Sequence, residues 1–188
     1  MSTHIGFDDW NAADADRGMT RPGLLARIKL TSVKAAARRA LKESGARPMS
    51  DDEQPRFRNI ADGLAERLSL GPVDLYVIDR AGDNALCCKL ERPTIAATRT
   101  LLETYTRTEV EAVVAHCLVR FRTAGHRGVV VGSADDVRAS ALTRYPPALA
   151  SAIEKAAPYR GRYAGFYLVA DDPSHRPAAD RVTAILDL

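Results

Sequence analysis

Cysteine is scarce in this sequence: only Cys87, Cys88 and Cys117 occur, and no two of them stand at C-x-x-C spacing. An odd, small number excludes a disulfide framework and a zinc ribbon alike, so free thiols are expected. Long apolar runs are missing too. A membrane-spanning helix needs roughly 18 to 20 apolar residues, and Arg, Asp or Glu interrupts every candidate stretch. The opening MSTHIGFDDWNAADADRG has acidic residues where a signal peptide carries positive charge, with no apolar core behind them. The expectation is a soluble, cytoplasmic protein. Charge of one sign is also lacking: 27 Lys and Arg against 24 Asp and Glu leave a net +3, and 46% of residues are hydrophobic. That balance excludes global disorder and an obligate nucleic-acid binder. With 188 residues there is material for one cored domain and an N-terminal appendage.

Residues 1–20 are polar, acidic and aperiodic, a tail by composition. Residues 21–46 hold a basic amphipathic helix, with Leu30, Val33, Ala37, Ala40 and Leu41 on one face over 24–43 and Arg27, Lys34, Arg38 and Lys42 opposite. Such a stripe suits an anionic membrane surface or partner, or simply solvent around a helix packed on the domain. The domain itself is expected over 47–188. After a turn-like GARPMSDDEQP, a second helix is predicted from Pro55 to Leu68, ended by Gly71 and Pro72. DLYVID, ALCCKL and TIAAT read as three strands.

Thr106 followed by Glu109 forms a capping box that opens a central helix, with Val110, Val113, Val114, Cys117, Leu118 and Phe121 on one stripe. Cys117 is therefore expected to behave as a small buried hydrophobe. His116 and Arg120, one turn apart, project together beside that stripe. Helices are predicted over Ser133–Arg144 and Pro147–Ala157, then FYLVAD as a strand or extended segment, then a last helix from about Pro177 to Leu188. His4 lies in the tail, which leaves His116, His126 and His175 as candidates for chemistry.

Several strings occur in an order that resembles the HtpX-like zinc metallopeptidases, a family that includes the CAAX prenyl endopeptidases. QPRFRNIADGLAERLSLGPVDLYVID is similar to that family's helix and first strand, and NALCCKLERPTIAATRTLLE to its N-A-x-x-x-G edge strand and the strand after it. TRTEVEAVVAHCLVR stands in the place of the zinc helix, LTRYPPALASAIEKA in the place of the segment after the third ligand, and PSHRPAADRVTAILDL in that of the closing H-P-P-x-x-x-R-I segment. The resemblance spans residues 47–188. It implies an α+β, zincin-like fold, mostly helical, with a small three-stranded sheet beside the former zinc helix.

The departures bear directly on chemistry. Where the family has H-E-x-x-H, this chain has His116, Cys117, Leu118, Val119 and Arg120, so the general base has become Cys117 and the second ligand Arg120. The third ligand falls at or near Gly132, with Asp136 matching the Asp of the family's E-x-x-A-D. A catalytic zinc site needs about three protein ligands and an open position, and a guanidinium offers no lone pair while repelling a dication. No intact catalytic residue, no metal ligand beyond His116 and no cofactor are expected.

The resemblance thus implies a pseudoprotease that binds a peptide or protein segment along its edge strand, through Asn84, Ala85, Leu86 and Cys87, with His175 near the cleft. Arg120 would occupy the metal's position, neutralised by Asp135 or Asp136. Asp136 would serve equally as ordinary charge in the first turn of a helix, and His175 as a structural hydrogen-bonding histidine. Two alternatives stand beside this. One is an active zinc endopeptidase with ligands rearranged among His116, His126, His175, Cys117 and the aspartates; His116 and His126 have the spacing of outer zinc ligands, but Arg120 and Thr123 hold the intervening His and Gly positions. The other is a scaffold acting at a membrane surface through residues 24–43.

Overall fold

The computed structural model describes residues 24–124, 133–173 and 175–188. Over these, seven helices surround a four-stranded sheet: α1 (Leu24–Ser44), β1 (Ala46–Pro48), α2 (Pro55–Arg67), β2 (Asp74–Ile78), β3 (Ala85–Lys89), β4 (Pro93–Thr98), α3 (Arg99–Thr104), α4 (Arg107–Ala124), α5 (Ser133–Thr143), α6 (Pro146–Lys155) and α7 (Ala178–Leu186), with a 3₁₀ turn at Ala164–Phe166. The fold class is mixed α and β. No described helix is long and apolar enough to cross a membrane.

The strand order is β1-β2-β4-β3. β2 runs parallel to β4, with Asp74 opposite Thr94 and Ile78 opposite Thr98, while β3 and β4 form an antiparallel pair with Ala85 opposite Ala97. Side chains on a strand alternate between faces, and both faces here are apolar. Leu75, Val77, Ala85, Cys87, Ile95 and Ala97 join the larger core under α2, α4 and α6. Ile78, Leu86, Cys88 and Ala96 join a second core closed by Ala37, Ala40 and Leu41 of α1 and by Tyr163, Phe166 and Tyr167. A strand buried on both faces loses the polar–apolar alternation and reads as a continuous apolar run, which is how ALCCK and TIAAT appear.

One expectation needs correction: the sheet has four strands, not three. β1 lies inside the stretch read as a turn, pairing antiparallel with β2 from Ala46 opposite Ile78 to Pro48 opposite Tyr76. Three residues, one of them proline, give no periodic signal, and proline is tolerated only at such an edge. The edge is held instead by charge. Arg47 and Arg99 each bond both Glu53 and Asp79, at 2.7 to 2.9 Å. The short helix α3, absent from the sequence-based outline, begins at Thr98, whose Oγ1 accepts the Leu101 amide.

α1 ends at Gly45, in a left-handed conformation at φ 73° that closes the helix by Gly45 N–H donating to the Lys42 carbonyl. Two residues of its basic stripe, Lys34 and Arg38, bond Glu91 of the β3–β4 turn. The predicted capping box is present: the Thr106 amide donates to Glu109 Oε2 at 2.8 Å and the Glu109 amide to Thr106 Oγ1 at 3.3 Å. Glu109 also accepts from Ser151 Oγ and Lys155 Nζ of α6. Burial alone would raise its carboxyl pKa, but the hydrogen bonds from Lys155, Ser151 and Thr106 bring it down to about 2. Glu109→Ala is expected to lower stability by about 1–3 kcal/mol at neutral pH, read from the urea midpoint. Because the folded pKa lies below the ordinary 4.5, that contribution is full above pH 4.5 and is lost as pH falls toward 2.

Candidate functional site

The helix α4 runs under the sheet with Cys117 facing β3, and its next turn presents Arg120 at the outer edge of that strand. A glycine-containing segment, Ala164–Val169, lies along this edge. Tyr167 forms an antiparallel bridge with Leu86, and the Leu168 amide donates to the Ala85 carbonyl at 2.8 Å. The sequence suggested a strand over FYLVAD; the chain instead makes a 3₁₀ turn and isolated bridges, since its far side is held by Tyr159 rather than by a full neighbouring strand. The Tyr159 and Tyr167 rings stack with centroids 3.8 Å apart.

What fixes this segment is a set of buried side-chain donors, each taking a main-chain carbonyl. His175 Nε2 lies 3.0 Å from the Ala164 carbonyl oxygen. Arg120 donates from Nη2 to the Gly165 carbonyl and from Nη1 to the Tyr167 carbonyl. Arg181 of α7 donates from Nη1 to the Leu168 carbonyl at 2.6 Å. Asn84, before β3, donates from Nδ2 to the Val169 carbonyl at 2.8 Å and to that of Ala157 at 2.7 Å, while its Oδ1 accepts the Ala85 amide. Four side chains from distant parts of the chain thereby accommodate five nearly consecutive carbonyls that burial would otherwise leave costly.

The expected partner of Arg120 was a carboxylate, and the structure corrects this. Its guanidinium, on a residue only 3% exposed, contacts carbonyls and Cys87 Sγ, the latter at 3.7 Å. Asp136 is engaged elsewhere: it takes Arg181 in a bidentate pair, with Nε and Nη2 each at 2.8 Å. His116 Nδ1 lies 2.9 Å from Asp136 Oδ1, off the direction of a good hydrogen bond, and its Nε2 has no hydrogen-bond partner among the described residues. Burial would raise the Asp136 pKa, yet Arg181 and His116 hold it well below the usual carboxylate range. Asp135 accepts from Thr123 Oγ1 at 2.7 Å. A planar fork meets a carboxylate in two parallel bonds, and Asp136 is consumed by that geometry before Arg120 could reach it.

Asn84, Ala85, Leu86 and Cys87 are all buried, and the first three are engaged by the chain's own segment, through Val169, Leu168 and Tyr167 respectively. His175 is buried too; desolvation first, then Arg120, bring its pKa down to about 4, so the neutral ring donates from Nε2. Gly132 and His126, together with the tail containing His4, lie outside the described residues. Among the described residues no three His, Cys, Asp or Glu side chains group so that they could hold a metal ion. Zinc does not fit the donors in view: His116 turns one nitrogen toward Asp136, and the next turn of its helix carries a cation.

Arg181 is the residue that sequence reading missed. It lies in the string matched to the closing segment, but an arginine in a short amphipathic helix signals solvent, and only a 1% exposure reveals its role. The three thiols divide between the two sheet faces. The Cys117 thiol does most to draw the Cys87 thiol below its ordinary range; burial opposes this, and Arg120 and His116 reinforce it. Cys87 and burial in turn raise the Cys117 thiol. Cys88, on the other face, is pushed up to about 12 by burial. No family model matches the chain, and no solved structure matches it.

Proposed function

We propose that the chain is a non-hydrolytic relative of the HtpX-like metallopeptidases, with a zincin-like arrangement retained for binding or regulation. Donors along the outer edge of β3 grip main chain instead of metal. The observation that carries this reading is Arg120: the cation at the second ligand's position is buried and makes its bonds to two carbonyls of a segment lying along the edge strand. A peptide is the favoured ligand class because carbonyl acceptors are common to every extended peptide, whatever its side chains. A foreign peptide would take the place of Ala164–Val169, so binding and release of the chain's own segment are coupled.

Two measurements test this. Protein purified without added metal is expected to carry no stoichiometric zinc and to leave casein uncut, with or without chelator. Stoichiometric zinc with chelator-sensitive cleavage would reverse the assignment. On screening an extended-peptide library, a binder is expected to speed hydrogen exchange at the Leu168 amide, whose Ala85 partner it displaces. If binders leave exchange across 164–169 unchanged, the β3 edge is not where peptides go.

A further inference from the structure

A cavity of about 250 Å³ opens between the C-terminal end of α1, the turn after β2 and the loop after α6. Its floor is buried: Ile78, Asn84, Thr98 and Tyr167 are each less than a tenth exposed. Its rim is not, since Arg80, Ala81, Gly82 and Ala157 are all exposed, so a solute can enter directly from water. Pockets for drug-sized ligands run to roughly 300–1,000 Å³, which limits the occupant here to a smaller molecule.

Two groups at this cavity are seated by glycine. The Arg80 guanidinium lies over Gly45, where a Cβ would stand 3.2 Å from Nε, and it is anchored by Nη1 donating to the Glu43 carbonyl at 2.6 Å. The Tyr159 ring lies against Gly161, where a Cβ would come within 2.6 Å of the hydroxyl oxygen, and its face stacks on Tyr167. Both groups are thereby ordered before anything binds, which lowers the cost of binding. Among the described residues Arg80 is paired with no carboxylate, whereas the other arginine of the lining, Arg160, is taken by Asp171. Arg80 spends one N–H on Glu43 and keeps others for a carboxylate, the acceptor its planar fork matches. The polar floor is already committed: Asn84 Nδ2 donates to the Ala157 and Val169 carbonyls, and Thr98 Oγ1 accepts the Asn84 and Leu101 amides.

We propose that this cavity binds a small aromatic carboxylate, with its ring against Tyr159 and Tyr167 and its carboxylate on Arg80. Rings favour offset or edge-on contact with other rings, and Ile78, Ala157 and Pro158 complete an apolar wall. Glu43 is the one carboxylate-bearing residue of the lining, which makes a cationic analogue the decisive control. The site is separate from the peptide-binding edge, because Arg120, Arg181 and His175 do not line it.

The test is a titration of the full chain with phenylacetate, acetate and phenylethylammonium in turn, followed by amide NMR shifts. Phenylacetate is expected to give saturable shifts at Ala81, Gly82, Tyr159 and Tyr167, and the other two to give none that saturate over the same range. Arg80→Gln, which keeps an amide donor but no charge, is expected to weaken phenylacetate binding about 10- to 100-fold. Ala157→Leu, which fills the cavity from an exposed position and leaves Arg80 in place, is expected to abolish it. No saturable shift at these four residues with phenylacetate overturns the site, and saturable binding of acetate or phenylethylammonium there overturns the ligand class. Undiminished phenylacetate binding in Ala157→Leu overturns the location, and it is read whether or not Arg80→Gln folds.

Discussion

Arg181→Met is expected to remove about 3–5 kcal/mol of stability, the range found when one member of a buried ion pair is deleted. Asp136 would then remain in the core with a nearby imidazole and no guanidinium, and the Leu168 carbonyl would lose its donor. The urea midpoint at neutral pH measures the loss. The pair as a whole should matter much less than either member, because taking two charges out of water costs nearly what their attraction returns. Asp136→Leu combined with Arg181→Met is thus expected to recover most of the deficit, which a pair of independent sites would not do. Acidity supplies a second readout. The folded Asp136 pKa lies below the ordinary 3.8, so its stabilisation is present above pH 3.8 and fades below it. The gap between parent and Arg181→Met should narrow as the solution is acidified through that point.

The second large effect belongs to Arg120→Met. The replacement fills much of the same volume but leaves the Gly165 and Tyr167 carbonyls without their donor, at a cost of about 1–3 kcal/mol for each buried polar group left unmet. Total stability is expected to fall by about 2–4 kcal/mol, but the diagnostic response is local. Amide exchange should accelerate along 164–168 and at the Ala85–Leu86 edge well before α2 and α6 respond, because the segment is held to β3 by the Arg120 donors and a single local set of bridges. Uniform acceleration across every element would mean that Arg120 supports the core as a whole rather than the segment beside β3.

How far such a site can be read from sequence depends on whether its residues follow a local rule. The capping box is local: Thr106 and Glu109 sit three apart, and the geometry follows from that spacing alone. The Pro55 start of α2 is local too, and it stands where helix-start signals place it; α4 departs from the expected single stripe, being buried on every side from Ala112 to Arg120 while Phe121 is only half-buried. β1 escapes because its pairing with β2 joins residues some thirty apart and its own three residues carry no pattern. The partners of Arg120 escape for another reason. Carbonyls are present at every residue, so nothing in the letters Gly165 and Tyr167 marks them as acceptors. Carboxylates are visible in a sequence and carbonyls are not, which biased the expectation toward Asp135 and Asp136.

The placement of Arg181 has a consequence for synthesis on the ribosome. Asp136 is incorporated forty-five residues before the guanidinium that neutralises it, and α7, which carries that guanidinium, is the last helix of the described chain. Until that helix clears the exit tunnel, docking of α5 would leave Asp136 in the interior with the His116 imidazole but without its bidentate guanidinium. A chain stopped before residue 181 would keep Asp136 beside the His116 imidazole but lack the guanidinium that takes both its oxygens.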